Sequence, residues 1–123
     1  MDGGKTKRQK PKQKKQMIRE NIYKKLMPAL DGEGINLRHW AVLNALPLKN
    51  KDIAAHLGLM PATVAVMMDG LKDTNLACHN SEQKHPDPRL KRRTYVLTDY
   101  GRRALENFNA LLHETDEEGT AGD

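Results

Sequence analysis

The side chains whose types and spacing could do covalent or acid–base chemistry lie within one stretch of ten residues: Cys78, His79, Ser81, His85 and Asp87. A nucleophile needs its base within hydrogen-bond reach, and the tip of a hairpin is a poor place to hold such a pair. The spacing matches no metal-ligand pattern, and one cysteine excludes a Cys-rich zinc site. We therefore predict no enzyme, no cofactor and no metal. Cys78 is predicted to be a small core residue, with redox sensing as the alternative.

A second kind of chemistry, contact with phosphate, is indicated by the basic residues. Residues 1–27 carry ten basic and two acidic side chains, and residues 114–123 carry five acids and no base. The basic residues are densest in one run: Lys5, Lys7, Arg8, Lys10, Lys12, Lys14 and Lys15. No apolar residue interrupts Gly3 to Gln16, so residues 1–16 are predicted to form a disordered basic arm. The arm either contacts phosphates or merely solubilises the chain. Residues 114–123 are predicted to be a disordered acidic tail.

The length of 123 residues fits one domain, predicted over residues 17–113. No apolar run approaches the roughly 20 residues of a membrane span, so no membrane partner is expected. The basic start is not followed by an apolar stretch, which argues against a secretory signal. A single cysteine suits a reducing cytoplasm, the predicted location.

Apolar periodicity predicts helices on either side of the central region. Apolar residues recur at every fourth position from Ile18 to Leu30, which predicts a helix that Pro28 kinks or ends. Asn36 is predicted to cap a second helix, which Pro47 stops. Thr98 is predicted to cap the last one.

Residues 50–71 carry the pattern of a helix-turn-helix. Ile53 and Leu57 lie on one face of a short helix, and small Ala54 lets a second helix approach closely. Gly58 is placed where the chain needs a left-handed residue, and Pro61 opens the next helix at its favoured first position. The buried face of that helix is predicted to be Val64, Met67, Met68 and Leu71. The alternative is an ordinary helical hairpin.

The following residues read as two strands, 76–79 and 93–97, around a polar, basic loop. A hairpin directly after a helix-turn-helix is typical of a wing. The predicted fold is therefore mainly α with a small two-stranded β wing: a winged helix-turn-helix. The terminal helices carry apolar stripes beyond what this domain needs, which predicts dimerisation through them.

Here the sequence resembles the MarR family of winged-helix transcriptional regulators. The resemblance is carried by Leu37-Arg38-His39-Trp40-Ala41-Val42-Leu43, Asp52-Ile53-Ala54, Leu57-Gly58-Leu59, Val64, Asp69, Leu76, Asp87-Pro88-Arg89 and Leu97-Thr98-Asp99-Tyr100-Gly101-Arg102. It implies a homodimer that binds pseudo-palindromic double-stranded DNA, with a small-molecule effector that the sequence does not identify. It also implies an Asp-x-Arg at the wing. Asp87 lies ten residues before Leu97, two more than the family spacing, so the four basic residues from Arg89 to Arg93 are the alternative.

The predicted DNA contacts are divided among the recognition helix 61–73, the wing 80–93 and the start of the preceding helix. They are Lys49, Lys51, Pro61, Ala62, Thr63, Val66, Arg89, Lys91, Arg92 and Arg93. No Arg, Lys, Asn or Gln lies between Pro61 and Leu71, although these residues usually read bases. Ala62, Val66 and the Thr63 methyl would instead touch thymine methyl groups. Asp69 is interpreted as a structural acid paired with a nearby base.

The predicted function is a homodimeric DNA-binding transcriptional regulator. Two alternatives remain open at this point. One is a nonspecific or architectural nucleic-acid binder driven by the basic arm. The other is a winged-helix module that binds a protein.

Overall fold

A computed structural model describes residues 16–114, which form five helices and two strands. The elements are α1 (residues 16–32), α2 (Leu37–Ala45), α3 (Asn50–Leu57), α4 (Pro61–Asp73), β1 (Ala77–His79), β2 (Tyr95–Leu97) and α5 (Asp99–Leu112). This is the winged helix-turn-helix that the sequence predicts. The basic arm lies outside the described residues except for Gln16, which is helical. The acidic tail lies outside them except for Glu114.

Helix α1 does not end at Pro28 but continues to Gly32. Proline has no N–H and its ring collides with the carbonyl four residues earlier, so an ordinary helix cannot pass through it. Directly before Pro28, residues Ile22–Leu26 adopt a wider π-helical turn, in which the Met27 N–H donates to the Ile22 carbonyl. Such a turn changes the hydrogen-bond register locally and lets the helix accommodate the proline.

The core is aliphatic except for one aromatic ring. Helices α1 to α5 and strand β1 surround it, and the largest fully buried side chains are Leu26, Leu30, Val42, Leu43, Ile53, Val64, Met68, Leu71, Leu76 and Phe108. The four residues predicted to form the inner face of α4 are all buried. Burial of this side anchors α4 and determines which of its residues face outward.

The cap of α2 confirms the prediction for Asn36 and connects this helix to α4. The Asn36 Oδ1 accepts from the N–H groups of Arg38 and His39 at 3.0 and 3.2 Å, and the Asn36 N–H donates to His39 Nδ1 at 3.1 Å. The imidazole lies against α4, since a Cβ built at Gly70 would be 3.2 Å from His39 Nε2. Glycine at position 70 therefore makes room for the capping histidine.

The helix-turn-helix has the geometry that the sequence predicts. Gly58 adopts the left-handed conformation (φ 69°, ψ 33°), and the Leu59 N–H bonds to the Ala54 carbonyl at 2.9 Å. Pro61 begins α4, and the axes of α3 and α4 differ by 112°.

No single helix among the described residues is long and apolar enough to cross a membrane. Only α3 and α4 taken together, across the bend between them, reach that length and composition.

The two strands are antiparallel and pair Ala77 with Leu97, Cys78 with Val96 and His79 with Tyr95. Both are shorter than predicted. Leu76 is outside β1 because its N–H bonds back to the Leu71 carbonyl at the end of α4, at 2.9 Å. Its own carbonyl accepts from the Thr98 N–H at 3.1 Å, beyond the end of β2.

The first turn of α5 is held against the segment between α4 and β1, at Asn75 and Leu76. The Thr98 hydroxyl accepts from the Gly101 N–H at 2.8 Å, as the predicted cap requires, and donates to the Asn75 carbonyl at 2.6 Å. Gly101 is buried, and a Cβ at this position would overlap the carbonyl oxygen of Leu76. These contacts give a physical reason for the Leu97-Thr98-x-x-Gly101 sequence.

The terminal helices α1 and α5 pack on each other within one chain. The Asn21 amide donates to the carbonyls of Leu112 and Glu114 at 2.8 and 2.6 Å, and Phe108 is 2% exposed. Much of the apolar surface from which dimerisation was predicted is thus buried inside the chain. Tyr23, on α1, remains 65% exposed.

We predict that Gly101→Ala lowers the free energy of unfolding by about 3 kcal/mol, because α5 must move away from Leu76 to admit a methyl group. Chemical denaturation followed by circular dichroism measures the change. The matched control is Gly32→Ala, which adds the same methyl in open space and is expected to be neutral or stabilising. Equal effects of the two substitutions would contradict the close approach of α5 to Leu76.

We also predict that stability falls on acidification through the titration of His39. Burial lowers the pKa of His39 below its ordinary value, so the unfolded chain takes up this proton first. The free energy of unfolding that depends on neutral His39 is fully present above about pH 6.5, and it is lost as the pH falls towards the lower pKa of His39 in the folded state. Urea unfolding between about pH 5 and 7.5 should show a shallower dependence for His39→Gln, because glutamine keeps an N-terminal capping side chain that does not titrate. If the free energies of unfolding of the wild type and of His39→Gln depend equally on pH, the titration of His39 does not affect stability.

Candidate functional site

The outer face of α4 consists of small and apolar residues and one acid, Asp69. Ala62, Val66 and Asp69 are exposed and Thr63 is half-buried, as the position of the core face predicts. Pro61 is exposed at the first helical position. Because the opposite side of α4 is fixed in the core, this face is presented in one orientation.

A basic cleft of about 250 Å³ lies between the start of α3 and the wing. Lys49 is the N-cap residue of α3, Lys91 and Arg93 belong to the wing, and all three line this cleft. The remaining lining residues are Leu48, Asn50, Thr94 and Tyr95. The structure thus brings together three predicted phosphate contacts that are up to 44 positions apart in the chain. We call this site the α3–wing cleft.

The charge of the α3–wing cleft is not neutralised by any acidic group among residues 16–114. Among residues 16–114, Lys49, Lys91 and Arg93 form no ion pair, and neither do exposed Lys51 and Arg92. Helix α3 also begins without a side-chain cap at Lys49. The N-terminal end of a helix carries partial positive charge, which adds to that of the ammonium and guanidinium groups.

The wing is organised by one buried side chain, Asn80, which is 2% exposed. Its amide nitrogen donates to the carbonyls of Asp87 and Leu90 at 2.8 and 3.1 Å. Its amide oxygen accepts from the Asp87 N–H at 2.9 Å and from Gln83 Nε2 at 2.7 Å. The sequence pattern does not indicate this residue, because a single asparagine in a polar loop carries no local signal of burial.

Backbone hydrogen bonds then fix the basic segment of the wing. The Asn80 N–H donates to the Thr94 carbonyl at 2.7 Å and the Ser81 N–H to the Arg92 carbonyl at 2.9 Å. The Thr94 N–H donates to the Lys91 carbonyl at 3.1 Å. The basic side chains therefore project from a defined backbone.

The Asp-x-Arg sequence of the wing forms an ion pair in spite of its unusual spacing. Asp87 Oδ1 accepts from Arg89 Nε at 3.1 Å and Oδ2 from a terminal guanidinium nitrogen at 3.0 Å. The hydrogen bonds from Arg89 lower the pKa of Asp87, and the carboxylate raises the pKa of Arg89. The Arg89 side chain is 87% exposed and does not line the α3–wing cleft. Asp87 orients the guanidinium while it stays accessible to an anion.

Asp69 has no basic partner among residues 16–114, so its interpretation as a structurally paired acid is wrong. It is exposed and forms no ion pair with any of residues 16–114. The nearby base on α4, Lys72, lies 4.0 Å from Glu82 instead.

Of the residues considered for catalysis or metal binding, Cys78 and His85 line one cavity of about 420 Å³, but no side-chain hydrogen bond joins any two of the five. Cys78 is half-buried, and its pKa is raised by burial and secondarily by Glu82, which disfavours the reactive thiolate. His79 pairs with Glu82 at 3.3 Å, whereas Ser81 and His85 are exposed. In the part of the chain that is described, no group of three His, Cys, Asp or Glu residues could hold a metal ion.

We predict that Asn80→Ala loosens the wing and lowers the free energy of unfolding by about 1–3 kcal/mol, because buried backbone groups lose their partner. Trypsin should then cleave at the wing's basic residues faster than in the wild type, and hydrogen exchange over residues 80–94 should increase. Ser81→Ala, an exposed neighbour, is the control and should change neither measurement. Unchanged protease resistance of the Asn80 variant would show that other contacts hold the wing.

Structural comparison shows what this arrangement is similar to. A mutant of MepR from S. aureus bound to an oligodeoxyribonucleotide superposes with a TM-score of 0.63 at 21% identity, covering 86% of this chain and 78% of that one. The MarR repressor of Listeria monocytogenes superposes with a TM-score of 0.66 at 13% identity, covering 100% of this chain and 84% of that one. The MarR family protein Rv2887 of Mycobacterium tuberculosis, in complex with DNA, superposes with a TM-score of 0.57 at 17% identity, covering 86% of this chain and 78% of that one. Comparison with protein-family models and with curated proteins finds no match. The chain has the MarR-type winged-helix fold.

Proposed function

We propose that this protein is a transcriptional regulator that binds double-stranded DNA. The observation that carries the proposal is the α3–wing cleft, in which Lys49, Lys91 and Arg93 converge without any acidic partner among residues 16–114. Cationic groups fixed on a rigid frame suit the regularly spaced phosphates of a duplex. Two of the proteins with the same fold are in complexes with DNA or an oligodeoxyribonucleotide, which supports this assignment.

In this proposal α4 enters the major groove and the surrounding basic residues position it. Pro61, Ala62, Thr63 and Val66 meet the base edges, because the first half of a recognition helix is the part that reaches the bases. Contacts to phosphate carry no sequence information but set the register of the reading helix. We assign these contacts to Lys49, Lys51, Lys91, Arg92 and Arg93. Arg89, oriented by Asp87, contacts the backbone or the adjacent minor groove.

We infer that two copies bind one site. A two-fold dimer places its recognition helices about 34 Å apart, one turn of the duplex, and so reads a pseudo-palindrome. The exposed Tyr23 of α1 and the half-buried Leu105 and Leu111 of α5 provide apolar surface for the contact between copies. The basic residues from Lys5 to Lys15, outside the described part of the chain, add salt-sensitive affinity.

Selection from a randomised duplex library at physiological salt tests the function. We expect an enriched inverted repeat, because a symmetric dimer presents the same reading surface twice. Retention of duplex without enrichment would indicate a nonspecific binder driven by charge. A chain that retains no duplex would contradict the proposal and favour a protein partner.

The α3–wing cleft gives a quantitative prediction. A variant with Lys49→Gln, Lys91→Gln and Arg93→Gln should bind every duplex more weakly. The affinity should also fall less steeply with salt: the magnitude of the negative slope of log K against log salt should decrease by about 0.9 for each phosphate that the variant no longer neutralises. Fluorescence anisotropy over a salt series measures this slope. Lys24→Gln, which removes one exposed charge from α1, should leave it unchanged. A slope that is equal for wild type and triple variant would remove the cleft from the interface.

A further inference from the structure

Helix α4 lacks the side chains that usually read bases by hydrogen bonds. Arg, Lys, Asn and Gln make most base contacts in the major groove, and none of these lies between Pro61 and Leu71. Lys72, the one basic residue of α4, is near its C-terminal end and within 4.0 Å of Glu82. Sequence reading by this helix therefore needs another kind of contact.

The exposed surface of α4 is instead rich in methyl groups. Met60, directly before the helix, and Val66 are each 70% exposed. Ala62 and Val66 are four residues apart and therefore lie on one face, which also includes the half-buried Thr63. Among the described residues five large apolar side chains are exposed, and two of them belong to the helix-turn-helix: Met60 and Val66.

The charges beside this face identify its occupant. An apolar surface that docks another protein usually has enriched aromatic residues, and α4 has none. Exposed Lys49, the N-cap residue of α3, and Lys51 in its first turn supply positive charge in the first half of the helix-turn-helix, and Asp69 is the one acid between Pro61 and Leu71. A ligand that matches both features is a polyanion with apolar groups along its interior edge. Duplex DNA has this character, because the C5-methyl group of thymine is the apolar feature that base pairs present in the major groove.

We propose that α4 recognises DNA through the methyl groups of thymine, with Val66 and Ala62 as the specificity-determining residues. This inference rests on the proposed function. The sites it selects are duplexes with thymines at the positions that face the first two turns of α4. Hydrogen-bond readout has a minor part, limited to the hydroxyl of Thr63. Base discrimination at each position is correspondingly modest.

Replacement of thymine by deoxyuridine tests the proposal, because it removes the methyl group and leaves base pairing and phosphate charge unchanged. In the site enriched by library selection, each contacted thymine is replaced in turn. We expect binding to weaken roughly three- to fivefold for each methyl group removed from the interface. Replacement of thymines outside the enriched site is the control and should have no effect.

Val66→Ala links the effect to the protein. Because Val66 is 70% exposed, this change leaves the core intact, which circular dichroism confirms independently. The variant should bind the thymine site more weakly, and at one position the ratio of affinities for thymine and uracil should fall towards one. Tyr100→Phe, at an exposed residue of α5, is the control and should retain the full ratio.

The outcomes separate the two proposals. An enriched site whose affinity is unaffected by uracil, or a uracil penalty that Val66→Ala does not reduce, overturns thymine-methyl recognition and leaves DNA binding standing. Failure to bind any duplex overturns both and assigns the apolar face of α4 to a protein partner.

Discussion

The approach of α5 to the backbone of Leu76 is the contact on which the arrangement of the other parts depends. At this point the end of α4, the start of β1 and the first turn of α5 meet, and the Leu76 carbonyl accepts from Thr98. Gly101 permits the approach because it has no side chain to occupy the space. Helix α4, the wing and the C-terminal helix are thereby held in one fixed relation. A rigid relation of this kind is what a surface needs if it is to meet two features of a duplex at once.

Local signals were sufficient to predict the helix-turn-helix from the sequence. A glycine that adopts a positive φ, a proline at the first helical position and an apolar face at helical spacing each act within a few residues. The structure confirms all three at Gly58, Pro61 and the buried side of α4. The passage of α1 through Pro28 was one of the two predicted outcomes, but the π-helical turn before it was not predicted, because composition does not reveal such a turn. The self-packing of the terminal helices was missed because it depends on Asn21 meeting the far end of the chain.

The candidate site was predicted in its members but not in its assembly. The sequence predicts Lys91 and Arg93 as contacts of the wing and Lys49 as a contact at the start of α3, and only the folded chain brings the three to one cleft. The missing step is Asn80, whose partners are seven and ten residues further along the chain. An amide becomes buried only when a loop closes around it, and no pattern in the loop itself encodes that closure. The pairing expected for Asp69 was wrong for the same reason, since charge in the sequence does not determine which groups meet.

The hydrogen bonds of Asn80 have a consequence for how this protein can change over time. Apart from Gln83, its partners in the wing are backbone atoms, the carbonyls of Asp87 and Leu90 and the N–H of Asp87. Any residue except proline supplies the same N–H, and every residue supplies the carbonyl. Substitutions in the wing can therefore alter its charge and reach without dismantling its shape. In the proposed DNA-binding role, such substitutions would change what the wing can contact while Asn80 keeps its backbone in place.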